Sequence, residues 1–198
     1  MRKLIVFCHL SLDGIAAVQG GSLNWISYNQ ELEKWAEPIV QATDTAVYGR
    51  TTYELMKYWQ TVPSKPDATP HELAHARWIE NVEKIVFSRS MMTPDWHNTR
   101  VIHENVKEEV LALKQKAGKN ITIFGSPTLA SLLIQLGVVD EYQLSVSPIV
   151  LGAGKSLFRE IKDTMKLKLV EEKTFQSGVV TLHYTVQKND SKHLPPKK

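Results

Sequence analysis

Three short apolar runs in this 198-residue chain end in residues suited to holding an anion. The first is Ala46-Val47-Tyr48-Gly49, followed by Arg50-Thr51-Thr52-Tyr53-Glu54. The second is Ile121-Thr122-Ile123-Phe124-Gly125, followed by Ser126-Pro127-Thr128-Leu129. The third is Ile85-Val86-Phe87, which ends in Ser88-Arg89-Ser90. A glycine at such a junction admits close backbone approach, and the free N–H groups of a following helix suit a phosphate. Arg50 and the hydroxyls of Thr51 and Thr52 add to the first junction, and Arg89 adds a charge to the third. Any one junction alone reads as an ordinary cap or turn. Three of matching chemistry in one chain point to a phosphate-bearing ligand.

Several other residues carry chemistry of their own. Asp13, beside Gly14, is either a turn residue or a carboxylate facing a ligand pocket. Trp25 divides between core packing and a stacking wall for a flat ring. His9, on the first strand, reads first as a satisfied core histidine and second as a titrating group near a pocket. His71-Glu72-Leu73-Ala74-His75 has the spacing of a zinc peptidase helix, in which two histidines hold the metal and the glutamate activates water. Pro70 places that segment in a first helical turn after a Pro-bearing loop, which suggests an exposed helix, and no third ligand follows. Gly152-Ala153-Gly154-Lys155-Ser156 resembles part of a nucleotide-binding loop, but the earlier glycine that such a loop needs is replaced by Ile149.

The elements that must position these groups follow from periodicity. Strands are expected at Lys3–Leu10, Thr45–Tyr48, Lys84–Phe87 and Ile121–Phe124, with a short one at Thr99–His103. Further strands are expected at Glu141–Val146, Lys166–Phe175 and Val179–Gln187, the last two joined through Ser177-Gly178. Helices are expected over Tyr28–Gln41, from Thr51 onward through a Thr51-x-x-Glu54 capping box, and over residues 71–81 and 106–117. Another starts at Ser126-Pro127. Strands alternate with helices for most of the length. The expected fold is α/β with three layers: a mostly parallel sheet, helices on both faces and an antiparallel C-terminal hairpin.

Composition narrows the function classes. With 42% hydrophobic residues the chain can bury one sizeable core, and residues 1–187 are expected to form one domain. The single cysteine, Cys8, excludes a disulfide framework and lies in an apolar run. Residues 188–198 carry four lysines against Asp190, which is the whole formal charge of +3. The body is therefore neutral and lacks the basic face of a nucleic-acid binder, and the tail reads as a flexible basic terminus. The first apolar run is too short for a signal segment and nothing later approaches a membrane span, so a cytoplasmic location is expected.

Taken in order, these motifs resemble the dihydrofolate reductase-like family. Gly49-Arg50-Thr51-Thr52-Tyr53-Glu54 is similar to its cofactor-phosphate motif, and Ser88-Arg89-Ser90 to the clamp that selects NADPH over NADH. Ser11-Leu12-Asp13-Gly14, Gly137-Val138-Val139-Asp140-Glu141 and Pro148 to Gly154 with Leu157-Phe158 are similar to the reductase domain of riboflavin biosynthesis. The resemblance implies an NADPH-dependent reductase acting on a pterin- or ribosylaminopyrimidine-like heterocycle, and a homodimer. It implies cofactor contacts at Ala16, Gly49 to Thr52, Ser88 to Ser90 and Gly125 to Leu129. It implies substrate contacts at Trp25, Glu31 and Gly152, with Asp13 as the catalytic carboxylate. It also implies a cis or strained peptide between Gly125 and Ser126.

The departures are equally legible. The place of the pterin-orienting carboxylate falls at Gln30, with Glu31 adjacent, and Ser27 to Glu37 contains no arginine for a ribose phosphate. No deaminase-like segment is present, which suggests a stand-alone reductase. A protein that keeps the cofactor pocket without turnover is the other reading these departures allow.

Overall fold

A computed structural model describes residues 1–187; the tail expected at 188–198 lies outside the described residues. In chain order the strands are β1 (Leu4–Ser11), β2 (Ile15–Ala17), β3 (Thr43–Gly49), β4 (Glu83–Phe87), β5 (Thr99–Ile102), β6 (Asn120–Phe124), β7 (Glu141–Ser147), β8 (Lys155–Ser156), β9 (Leu167–Thr174) and β10 (Val180–Val186). The helices are α1 (Gln30–Gln41), α2 (Arg50–Met56), α3 (Pro70–Asn81), α4 (Val106–Gln115) and α5 (Pro127–Gln135). Eight strands form one sheet in the order β5-β4-β3-β6-β1-β7-β10-β9. All pairings from β5 through β7 are parallel, and β10 runs antiparallel to both β7 and β9. The α/β architecture expected from periodicity is the one observed.

The alternation along β1 explains the layers. Leu4, Val6, Cys8 and Leu10 join Val110 and Leu113 of α4 and Leu129 and Leu133 of α5 in one core. Phe7, on the opposite face, joins Tyr48, Val86 and Phe124 with Trp35 and Ile39 of α1 and Ile79 of α3. Burial pushes the Cys8 thiol up to about 12, as befits a small core residue.

Several boundaries differ from the sequence reading, each for a local reason. Helix α1 begins at Gln30 rather than Tyr28, because the Asn29 carboxamide accepts the amides of Glu31 (2.9 Å) and Leu32 (3.0 Å). The capping box expected at Thr51 and Glu54 does not form. Gly49 is the N-cap of α2 and supplies no side chain, and Glu54 instead pairs with Lys57 at 2.7 Å. A capping box does form on α3, where Glu72 accepts the Thr69 amide at 2.8 Å and the Thr69 hydroxyl accepts the Glu72 amide at 3.2 Å. Strands β2 and β8 pair with each other outside the main sheet and are too short to show a period.

Candidate functional site

Because β1, β3, β4, β5, β6 and β7 are parallel, their carboxyl ends open onto one edge of the sheet, where such sheets bind ligands. All three anion-suited junctions lie on that edge. The register pairs Val47 with Ile123, so Gly49 and Gly125 end neighbouring strands. The Gly49 amide donates to the Ser126 hydroxyl at 3.1 Å. A Cβ on Gly49 would rest against Leu129 at 3.8 Å, so Leu129 closes the floor between the junctions. On the other side, Arg50 donates to the Ser90 hydroxyl at 2.7 Å and thus bridges the ends of β3 and β4.

The third junction is built by its own serine. The Ser88 hydroxyl accepts the amides of Ser90 (3.3 Å) and Met91 (3.1 Å), which bends the chain so that Arg89 lies exposed at the rim. Arg89 forms no ion pair among the described residues. His103 bonds the Ser88 carbonyl at 2.8 Å and anchors this turn to the end of β5. Thr51 is exposed and Thr52 half-buried in the first turn of α2, and neither hydroxyl caps the helix.

Of the cis or strained peptide expected between Gly125 and Ser126, the cis form is not found. No cis bond occurs among the described residues; Gly125 (φ 58°) and Ser126 (φ 49°) instead both occupy the left-handed region. Glycine adopts that region freely, whereas serine is strained there. Space beside Gly125 is open, since an added Cβ would meet nothing within 4 Å. Pro127 sits at the start of α5, with Thr128 exposed beside it.

Of the two readings of Asp13, turn residue or pocket carboxylate, its hydrogen bonds match the first. Its carboxylate accepts from the Ser11 hydroxyl (2.6 Å) and from the amides of Leu151 (3.1 Å) and Gly152 (2.8 Å). These donors, the Ser11 hydroxyl foremost, lower its pKa to about 2. An ionised, fully engaged carboxylate holds the loop after β7 against the loop after β1; it is not poised to give up a proton at neutral pH. Gly152, left-handed at φ 71°, is therefore a donating half of this clamp. Ala16 is buried in β2, directly beyond that clamp. Gly154 permits the β2–β8 approach, because any Cβ there would collide with the Ile15 side chain and the Ala17 carbonyl. Lys155 and Ser156 are strand residues, which removes the nucleotide-loop reading.

Of the expected substrate residues, Trp25 is half-buried in the loop before α1, and its indole Nε1 is enclosed without a partner. Glu31 accepts the Gln176 amide at 3.2 Å, joining the first turn of α1 to the β9–β10 hairpin. The His9 imidazole bonds Ser145 through Nδ1 at 2.5 Å and meets Tyr28 edge-on at 6.3 Å. The zinc pattern is not assembled. Glu72 is taken by the capping box, and His75 packs between Trp59 (4.2 Å) and Trp78 (5.3 Å). The described residues contain no cluster suited to a metal.

Comparison with known proteins bears on the family and the fold. The family model for the RibD C-terminal domain matches residues 2–181. The chain is 35% identical over 184 residues to the uncharacterized protein YyaP of Bacillus subtilis (strain 168), covering 92% of this chain and 94% of that one. Among solved structures, a putative riboflavin biosynthesis protein from Shewanella sp. PV-4 superposes with a TM-score of 0.72 at 19% identity, covering 94% of this chain and 99% of the other. A dihydrofolate reductase from Enterococcus faecalis, complexed with NADP(H), superposes with a TM-score of 0.61 at 18% identity, covering 94% and 97%. At these identities the two structures establish the fold. No described helix is long and apolar enough to cross a membrane.

Proposed function

Since this chain belongs to the RibD C-terminal domain family, we propose that it is an NADPH-dependent reductase that delivers hydride to a small, planar heterocycle of the pterin or ribosylaminopyrimidine kind. The observation that carries this reading is the linkage of three strand ends: Gly49 to Ser126 and Arg50 to Ser90, with Arg89 exposed alongside. The residues fit the cofactor. The open face at Gly125 admits a pyrophosphate close to the backbone and to the start of α5. The uncapping hydroxyls of Thr51 and Thr52 and the rim charge of Arg89 suit the adenosine-side phosphates.

When bound, NADPH supplies the hydride; the protein contributes position and electrostatics. Ser126 and Leu129 shape the crevice between β3 and β6, while Asp13 ties the loop that carries Gly152 to the loop after β1. Trp25 offers a flat wall and an unused N–H beside α1. Held ionised by its hydrogen-bond donors, Asp13 does not itself supply the proton that accompanies hydride. The reading includes a cytoplasmic location and a homodimer. β9 is an edge strand with Leu169 and Val170 exposed, and a second copy would cover it.

One observation favours a cofactor-binding module without turnover: both carboxylates near the site, Asp13 and Glu31, are committed to loop contacts. Loss of NADPH absorbance at 340 nm in the presence of dihydropterins or aminopyrimidines separates the two. Heterocycle-dependent oxidation supports the reductase; tight NADPH binding with no oxidation across the panel supports the silent module.

A further inference from the structure

The face of the sheet turned toward α1 carries polar groups that neither the phosphate crevice nor the fold requires. Phe7 marks this face, stacking on Trp35 of α1 at 5.2 Å. Beyond Phe7, toward the carboxyl end of β1, the same face continues with His9 and Ser11. Their partners in register on β7 are Ser145 and Ser147, and Ser145 is in turn paired with Thr181 of β10. The four hydroxyl residues are buried, where a sheet face covered by a helix ordinarily presents aliphatic side chains.

Most of these groups have a partner. Ser11 serves Asp13 and the Ile15 amide, and Thr181 donates to the Lys173 carbonyl at 3.4 Å. Two do not. The Ser147 hydroxyl is enclosed, with the residue only 1% exposed, and has no hydrogen-bond partner. His9 uses Nδ1 on Ser145, while its Nε2 bonds nothing among the described residues; its half-buried ring stands edge-on to Phe7 and Tyr28. An enclosed polar atom without a partner is costly, and its persistence beside a ligand crevice points to a partner that arrives with the ligand.

We infer that His9 and Ser147 bind the polar edge of the heterocycle, with Ser145 as the positioning residue that fixes the imidazole. This rests on the reductase reading and names the residues that would hold its substrate. Burial lowers the His9 pKa to about 4, so the ring is neutral at physiological pH. A neutral imidazole offers one N–H and one lone pair, and a serine hydroxyl can donate or accept. Such a pair matches the uncharged lactam or amidine edge of a pyrimidine or pterin, and not a carboxylate or phosphate. Ser145 sets the tautomer: if it donates to Nδ1, Nε2 carries the proton, and if it accepts, Nε2 presents its lone pair.

The test uses the full chain saturated with NADP⁺, with 7,8-dihydrobiopterin and 5-amino-6-ribitylaminouracil as probes and NADPH affinity measured separately. His9→Phe and Ser147→Ala should each weaken heterocycle binding by about tenfold, the scale of one lost hydrogen bond, with NADPH affinity unchanged. His9→Gln should restore part of the loss. Ser147→Ala removes only an unpartnered hydroxyl, so its melting temperature should hold or rise while binding falls, an outcome that a structural role for Ser147 would not give. The His9 Nε2 resonance in long-range ¹H–¹⁵N spectra should move when a probe binds. If NADPH binds but neither probe does, or if a probe binds equally to wild type and both variants with His9 Nε2 unmoved, the inference is overturned. Failure to bind NADPH at all overturns the reductase reading first, and this inference with it.

Discussion

The backbone amide of Gly49, the last residue of β3, donates to the Ser126 hydroxyl at 3.1 Å, although the two lie 77 positions apart in the chain. Ser126 itself stands in the left-handed region at φ 49°. Its hydroxyl thus holds two strand ends together from a backbone conformation that disfavours serine. The bond contributes about 0.5–1.5 kcal/mol, and the left-handed conformation costs about 1 kcal/mol.

These two terms separate two substitutions. Ser126→Ala loses the bond and keeps the strain, so stability should fall by about 1 kcal/mol. Ser126→Gly loses the bond but relieves the strain, and the two effects should nearly cancel. Denaturant unfolding checks the order; a glycine variant less stable than the alanine variant would show that the strain is not there.

Arg89 should decide between the two nicotinamide cofactors. A charge-assisted bond is worth about 1.5–3 kcal/mol, or roughly 10- to 150-fold in affinity. Arg89→Ala should therefore remove most of the preference for NADPH and leave NADH binding nearly unchanged, as read by calorimetric titration of both. The side chain is exposed and unpaired among the described residues, so its removal should not affect folding.

Asp13→Asn tests the loop clamp. The substitution removes the charge and one acceptor from the bonds to Leu151 and Gly152. Hydrogen exchange at those two amides should accelerate relative to the amides of β1. Unchanged protection would mean that the clamp does not hold the loop.

Acid should destabilise the protein well before its carboxylates titrate. Burial lowers His9 and His75 from 6.5 to about 4, with the charge of His71 adding to the effect on His75. The unfolded chain therefore binds these protons more readily than the folded one. Their contribution is complete above about pH 6.5 and is lost as pH falls toward about 4. A melting temperature that declines across this window, with a shallower decline in His75→Phe, is the expected result.

Much of this arrangement was legible in the sequence because it is local. The Gly49 and Gly125 junctions, Pro127 at the start of α5 and the Ser177-Gly178 turn each announce themselves within a few residues. What the sequence hid is contact between distant segments. Asp13 and Gly152 are 139 positions apart, and His9 and Ser145 are 136 apart. No periodicity encodes such pairs, so Asp13 reads as a turn residue or a catalyst, and His9 as core. Lys84 misleads in the opposite direction. A lysine opening a strand suggests solvent, yet it is fully buried, donating to the carbonyls of Ile79 (2.8 Å), Glu80 (3.1 Å) and Val82 (2.9 Å) at the end of α3. The His71 and His75 pattern fails because Glu72 has a nearer use, in a capping box that begins at Thr69.

Cofactor binding at the linked ends of β3, β4 and β6 is the central consequence of this geometry. Isothermal titration of the full chain with NADPH and with NADH tests this without knowledge of the substrate. Saturable one-to-one binding of NADPH, at least tenfold tighter than NADH, is the predicted result. No detectable heat with either nucleotide, or equal affinity for both, would contradict the assignment of these strand ends to an NADPH site.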